Sequence, residues 1–219
     1  MMTFLWCMAA ALGQSAPDAF VEAEDSSRHT FSGVGEFEGI VSGGKILRLW
    51  ETAEPPAGDY RAALDFTLAA AGMWHVWLAA SVPTNTSPWW WRVDQGEWRH
   101  VTLESIPDEN LFTTRFGVSD CMGWIHLLSE ELPAREHMLE IRVDERRDIL
   151  EKAHLVYLDA MLATQRDAQP QGLVTPADLP RLESRTPEPV PIPRAGKQGE
   201  PLLLGSSVMD SLSNRILKR

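Results

Sequence analysis

The chain has 219 residues, 44% hydrophobic and 23% charged, ordinary values for a globular protein and enough for one domain with a sizeable core. Its net charge of -11 is unevenly held: residues 1 to 164 carry 12 Lys and Arg against 25 Asp and Glu, and residues 165 to 219 carry 8 against 6. Such an acidic body argues against nucleic acid or an anionic membrane as partner, since phosphate binding relies on clustered basic side chains; it leaves a neutral ligand, a bound cation or plain solubility.

Residues 1 to 16 form an apolar run too short to span a bilayer and ending in small residues, which suits a signal peptide and a secreted or periplasmic destination, although the first basic residue is only Arg28. Removal of that segment takes Cys7 with it and leaves Cys121 as the sole thiol, so no internal disulfide staples the mature fold. No later stretch is apolar for long enough to form a transmembrane helix.

From residue 17 onward, short alternating runs follow one another with turn residues between them. Phe20 to Glu24 sets Val21 and Ala23 against Glu22 and Glu24; Lys45 to Trp50 follows the Ser42-Gly43-Gly44 turn. Arg61 to Leu68 is the clearest half-buried strand pattern, with Ala62, Leu64, Phe66 and Leu68 in phase. Gly72 opens a strand whose inner face holds Trp74, Val76 and Leu78, and Trp89 to Asp94 and Trp98 to Leu103 flank Gln95-Gly96 as hairpin arms. Gly123 to Leu128 and His137 to Asp144 follow, the latter with Leu139, Ile141 and Val143 in phase.

Arg146 to Gln165 fits either a helix or a strand; Leu155 to Thr164 reads as the closing strand with Leu158, Ala160 and Leu162 inward and Asp159 outward. Together these runs predict an all-β fold, an antiparallel β-sandwich over residues 17 to 164. After it, residues 165 to 219 hold 8 of the 15 prolines and read as an irregular Pro-rich linker and tail, or the start of a further domain.

Trp89-Trp90-Trp91 stands out in a chain with nine Trp and only two Tyr. On a strand, Trp89 and Trp91 share the core face with Val93, and Trp90 turns to the other side with Arg92.

Several segments in order carry a resemblance: Val21-Glu22-Ala23-Glu24-Asp25, Gly43-Gly44-Lys45-Ile46-Leu47, Ala70-Ala71-Gly72-Met73-Trp74-His75-Val76-Trp77, Trp91-Arg92-Val93-Asp94, Glu136 to Ile141, and Tyr157-Leu158-Asp159-Ala160. Residues 19 to 164 resemble the carbohydrate-binding modules of families 6 and 35 and their galactose-binding-like relatives. The resemblance implies a non-catalytic antiparallel jelly-roll β-sandwich that binds a glycan or polysaccharide and accompanies a catalytic domain or neighbouring enzyme. It also implies a structural calcium ion held by Glu22, Glu24 and Asp159, with a backbone carbonyl near Gly44 or Lys45 as a further ligand. Calcium takes several hard oxygens, and two carboxylates on one face of an extended segment supply them.

Sugar sites of this kind pair flat aromatic rings against pyranose C–H faces with amides and carboxylates on the hydroxyls. The candidates are Trp90 and Asn85 first, then Trp50 at a strand end, and Asp120 with Trp124 in the segment 119 to 124. A module that only orients an adjoining hydrolase or lyase without binding sugar is the alternative.

Catalytic motifs are wanting: there is no Gly-x-Ser-x-Gly, HExxH, CxxC or glycine-rich phosphate loop. A zinc set from His126, His137 and His154, or acid chemistry from Asp94 and Glu97, is the third, catalytic option.

Overall fold

Alternation of apolar and polar side chains produces strands wherever one face has a core to enter, and eleven follow in the computed structural model, which describes residues 16 to 55, 57 to 104, 115 to 148 and 151 to 182. The expected signal peptide, save Ala16, and the tail beyond Leu182 lie outside the described residues. The first four strands are β1 (Ala19–Glu22), β2 (Arg28–His29), β3 (Gly33–Glu36) and β4 (Lys45–Glu51). Then come β5 (Tyr60–Thr67), β6 (Gly72–Ser81), β7 (Trp89–Val93) and β8 (Arg99–Val101), followed by β9 (Met122–Leu132), β10 (Glu136–Val143) and β11 (His154–Thr164).

They form two antiparallel sheets, β3-β4-β11-β6-β9 with β1 added on β11, and β2-β5-β10-β7-β8. This is the antiparallel β-sandwich expected from the strand patterns, in the jelly-roll form that the resemblance implies. Short 3-10 turns are the only helical elements among the described residues, and no helix there is long and apolar enough to cross a membrane.

Between the sheets lies the main core. Ala62, Leu64 and Phe66 of β5, Trp74, Val76 and Leu78 of β6, Trp89 and Trp91 of β7, and Leu139, Ile141 and Val143 of β10 all point into it. The two fully buried indoles of this core satisfy their single donor on backbone carbonyls, Trp89 on Ser81 (3.2 Å) and Trp74 on Ala70 (3.1 Å), so their burial leaves no N–H unpaired.

The first sheet is buried on its outer face too. A second cluster there contains Val41, Ile46, Trp77, Met122, Trp124, Tyr157, Ala160, Leu162 and Val174. Every residue of β11 is consequently buried, the mark of a central strand covered on both sides.

That double cover corrects three expectations. The pairing of β11 with β6 shifts register between Leu158 and Met161, so Leu158, Met161 and Ala163 enter the main core while Ala160 and Leu162 face the outer cluster. Asp159, expected to face outward, is completely buried. The strand also does not end the fold: residues 165 to 182 pack back over the outer face, with Ala168 and Val174 buried, Leu179 and Leu182 against the cluster, and Arg166 paired with Asp18. A boundary at residue 164 therefore cuts through a packed unit, because the apolar outer face of the first sheet needs that cover.

Candidate functional site

Trp90 does face away from the core, but its ring is already occupied. His100 of β8 stacks on it with centroids 3.9 Å apart and planes 4° from parallel, and Arg142 of β10 lies over it at 4.9 Å. Since Trp90 pairs in register with His100 on one side and Arg142 on the other, the indole is flanked from both neighbouring strands. Its N–H donates to Asp144 at 3.0 Å. The stack continues from Arg142 to Trp98 (4.8 Å) and on to Arg92 (4.5 Å), a cation–aromatic ladder across the outer face of the second sheet. Trp90 is thus a packing residue rather than an open platform, a correction that follows from neighbours on other strands.

Trp124 is corrected more simply. It is fully buried in the outer cluster and its N–H donates to the Gly172 carbonyl at 2.9 Å, so no ligand reaches its ring.

Trp50 and Asn85 meet elsewhere. The end of β4, the start of β11, the segments 82–88 and 117–121 and Arg147 line a cleft of about 170 Å³. Its polar and aromatic walls are Trp50, Asn85, Thr86, Ser119, Arg147 and Tyr157, and its apolar floor is Val118, Cys121 and Leu155. Trp50 is 45% exposed, the only tryptophan among the described residues that counts as an exposed large hydrophobic.

Local bonds hold the walls in place. Ser87 accepts from the Leu155 N–H with its hydroxyl (3.0 Å) and donates its own N–H to the Leu155 carbonyl (2.8 Å), and Thr86 donates to the Val82 carbonyl (2.9 Å). Those bonds fix the loop that presents Asn85, whose side chain is exposed. Arg147 donates from Nε to the Glu151 carbonyl at 2.8 Å, and its guanidinium lies 5.9 Å from the Trp50 ring.

Burial pushes the Tyr157 hydroxyl up, with the nearby Arg48 and Arg147 charges opposing it, and burial lifts the Cys121 thiol to about 11, which leaves it a protonated floor residue. Asp120 sits on the adjoining 3-10 turn, exposed and with φ 51°, beside the cleft but outside its lining.

Elsewhere on the first sheet the three acidic candidates come together. Glu22 ends β1, and Glu24 belongs not to the same strand but to the 3-10 turn Ala23–Asp25 that follows it. Asp159 stands in β11. The turn Ser42–Gly44 closes over them: the Ser42 N–H donates to Asp159 Oδ1 at 2.9 Å and its hydroxyl to Glu22 Oε1 at 2.7 Å. Gly43, at φ 59°, runs so close that a Cβ there would lie 3.1 Å from Glu24 Oε1 and 3.5 Å from Glu22 Oε1.

One oxygen of each acid, Glu22 Oε2, Glu24 Oε2 and Asp159 Oδ2, is buried without a hydrogen-bond partner. Burial, aided by their mutual repulsion, raises Glu24 to about 7 and Asp159 to about 8; Glu22 is raised too, by burial first and by Asp25. Lys45 is the cation that works against this at Glu24. Orphaned, crowded oxygens are the donor set a hard divalent cation takes. Among the described residues no group of three His, Cys, Asp or Glu side chains is placed to hold a metal ion as it stands. The Gly44 carbonyl, a further expected ligand, accepts from the Phe37 N–H at 2.8 Å and keeps one lone pair.

The histidine set disperses. His126 is on β9 beside His75, both bonded to Ser129; His137 is on the other sheet, stacked on Phe66; His154 packs against Tyr60. Asp94 is spent on structure: although burial pushes its carboxyl upward, the Met138 N–H, His137 and Arg135 hold it below the usual range.

Sequence reasoning missed Arg147, Tyr157 and Ser42. The signal for Tyr157 was the strand register itself, because Leu155 and Tyr157 stand opposite Trp50 and Arg48 on β4.

No protein-family model matches the chain, and no curated protein sequence is similar to it. Among solved structures it is similar to a β-(1,4)-mannanase of Podospora anserina carrying a family 35 carbohydrate-binding module, at 12% identity and a TM-score of 0.45 over 70% of this chain and 28% of that one. It is similar to the C-terminal family 6 module of LamC, a laminarinase from Zobellia galactanivorans, at 8% identity and a TM-score of 0.43 over 68% of this chain and 100% of that one. A family 6 module of Cellvibrio mixtus lichenase 5A, solved with cellotriose, gives 13% identity and a TM-score of 0.41 over 67% and 96%. The chain spans less than a third of the length of the mannanase and of a Phanerochaete chrysosporium exo-β-1,3-galactanase, 28% and 29%. The architecture rests on the strand pairing set out above rather than on these likenesses.

Proposed function

We propose that the protein is a non-catalytic carbohydrate-binding module, exported and working beside a polysaccharide-degrading enzyme. The observation that supports this reading is the cleft itself. It gathers one exposed indole, Trp50, with the amide of Asn85 and the hydroxyls of Tyr157, Ser119 and Thr86, residues far apart in sequence. An indole covers the C–H face of a pyranose while the amide and hydroxyls take up its O–H groups. The ordered motifs shared with families 6 and 35 support the same reading from the sequence side. Retardation of the protein in gels containing a panel of plant, algal and bacterial polysaccharides tests it; migration unchanged in every gel, for native protein and Trp50→Ala alike, retires it.

The acidic cluster belongs to the same reading as a structural calcium site. Glu22, Glu24 and Asp159 would hold the ion, with the Ser42–Gly44 turn as its lid and Gly43 leaving room for it. When bound, calcium supplies positive charge that removes the repulsion among three crowded carboxylates. The protein's part is to tie β1 to the middle of β11 and both to the turn before β4. Calorimetric titration of the chelator-treated protein with calcium tests this, and absence of any heat or thermal shift argues against it.

A second reading has one observation in its favour: Trp90, on the second sheet, is not among the residues that line the cleft with Asn85, and it is enclosed by its neighbours. A sandwich that only orients an adjoining enzyme needs no open aromatic at Trp90. The same gel panel separates the two.

A further inference from the structure

Strand β9 does not alternate evenly. Its pairing with β6 shifts between Val76 and Trp77: Val76 stands opposite Leu128 and Trp77 opposite His126, which leaves Leu127 as an extra residue. Leu127 and Leu128 both enter the main core. Residues three apart on a regular strand face opposite ways, and the bulge turns His126 and Ser129 to the same side. That side is the outer face of the first sheet, where β6 presents His75 opposite Ser129 and Trp77 opposite His126.

Two imidazoles thereby converge on one oxygen. His75 Nδ1 lies 2.7 Å and His126 Nε2 2.9 Å from Ser129 Oγ, with the two rings 6.0 Å apart between centroids. A hydroxyl has a single hydrogen, so it donates to one ring nitrogen and accepts from the other. Ser129 is exposed and both histidines are half-buried, so solvent reaches the group. Trp77, itself buried, packs on His126 with centroids 4.5 Å apart and holds that ring in place. Burial, and after it the neighbouring His75, lowers the pKa of His126, which favours the neutral ring with a lone pair to share.

Neutral imidazole is the commonest protein ligand of late first-row divalent ions, at about 2.0–2.1 Å from nitrogen to metal. An ion in the place of the hydroxyl needs each nitrogen to move closer by less than about 1 Å, from 2.7 and 2.9 Å, while Ser129 rotates aside. The acidic body favours a cation nearby. We infer that His75 and His126 form a site for a late first-row divalent cation, copper or zinc, with solvent in its remaining positions. The ion would clip β9, at the edge of the first sheet, to β6 across the bulge. Imidazole nitrogens here and hard carboxylate oxygens in the acidic cluster call for different metals. The inference rests on neither the glycan reading nor the calcium reading.

The test is calorimetric titration of the full chain with copper(II) and with zinc(II) chloride, in excess calcium so that any carboxylate site is taken by the harder ion. The expected result is binding of both, tighter for copper, as the order of divalent affinities requires. His75→Gln and His126→Gln are each expected to weaken that binding by at least about tenfold, with circular dichroism as the control for folding. Electron paramagnetic resonance of the copper-loaded native chain is expected to show two coordinated nitrogens, and it decides where a variant does not fold.

No heat with either ion, native affinity kept by both variants, or a copper spectrum without nitrogen coordination overturns the site.

Discussion

The backbone N–H of Ser42 donates to Asp159 Oδ1 at 2.9 Å, joining residues 117 apart in sequence, while Oδ2 of the same buried carboxyl has no partner. Half of this acid is held and half is left for something else. The same turn holds Glu22 through the Ser42 hydroxyl, so one short segment organises two of three crowded acids.

This relationship sets the pH dependence of stability without a cation. Folding raises Glu24 to about 7 and Asp159 to about 8 from ordinary values near 4, so the native state binds more protons than the unfolded state between those limits. Stability of chelator-treated protein therefore falls as pH rises from about 4 to 8. Saturating calcium removes that slope and raises the melting temperature at pH 8 by about 5 °C or more. Thermal melts across that range, with and without calcium, read both effects; equal melting curves would sink the cation site.

Gly43→Val offers a structural check on the same cluster. A Cβ there meets Glu24 Oε1 at 3.1 Å, and a β-branched residue is strained at φ 59°. The expected result is weaker calcium binding by about tenfold or more, read by calorimetric titration with circular dichroism as the control for folding.

Trp50→Ala is expected to lower glycan affinity by at least about tenfold while moving the melting temperature by no more than about 2 °C, because the ring is 45% exposed and contributes little to the core. Trp90→Ala should do the reverse. Losing the stack on His100 and the cation contact with Arg142 costs about 1–2 kcal/mol, and glycan affinity stays unchanged. Denaturant titration and calorimetric titration on the pair separate packing from binding.

Truncation distinguishes the packed strap from the chain beyond it. Ending the protein after Thr164 uncovers Trp77, Trp124 and Leu162, and the product is expected to melt lower and to aggregate. Ending it after Leu182 retains the cover and should leave the melting temperature of the sandwich within about 2 °C of the longer chain. Size-exclusion chromatography with thermal melts on both truncations gives the answer.

The sandwich was legible because most of its strands are buried on one face only, and period-two alternation marks such strands directly: Ala62, Leu64 and Phe66 on β5, or Leu139, Ile141 and Val143 on β10. The same reasoning sorted Trp89 and Trp91 from Trp90. It failed on β11, where apolar cover on both faces leaves no amphipathic contrast and a register shift after Leu158 breaks the phase. It failed on Trp90 as a platform because the rings and cations that enclose it, His100 and Arg142, arrive from strands whose register no local pattern encodes. Trp50 and Asn85 stood out as polar or aromatic residues near turns. Arg147 did not, since nothing in the run Glu145-Arg146-Arg147 tells that one arginine finds Glu54 while its neighbour turns into a cleft.

The burial of all eleven residues of β11 has a kinetic side. With β6 along one edge, β4 and β1 sharing the other, and side chains packed above and below, its amides have no local route to solvent. They should exchange hydrogen only when the whole sandwich opens, and Asp159 lies in the middle of that segment. The slowest-exchanging amides of the molecule are then a direct gauge of the acidic cluster: any ion bound there adds its full free energy to their protection, and stripping it shortens their lifetimes before any loop reports a change.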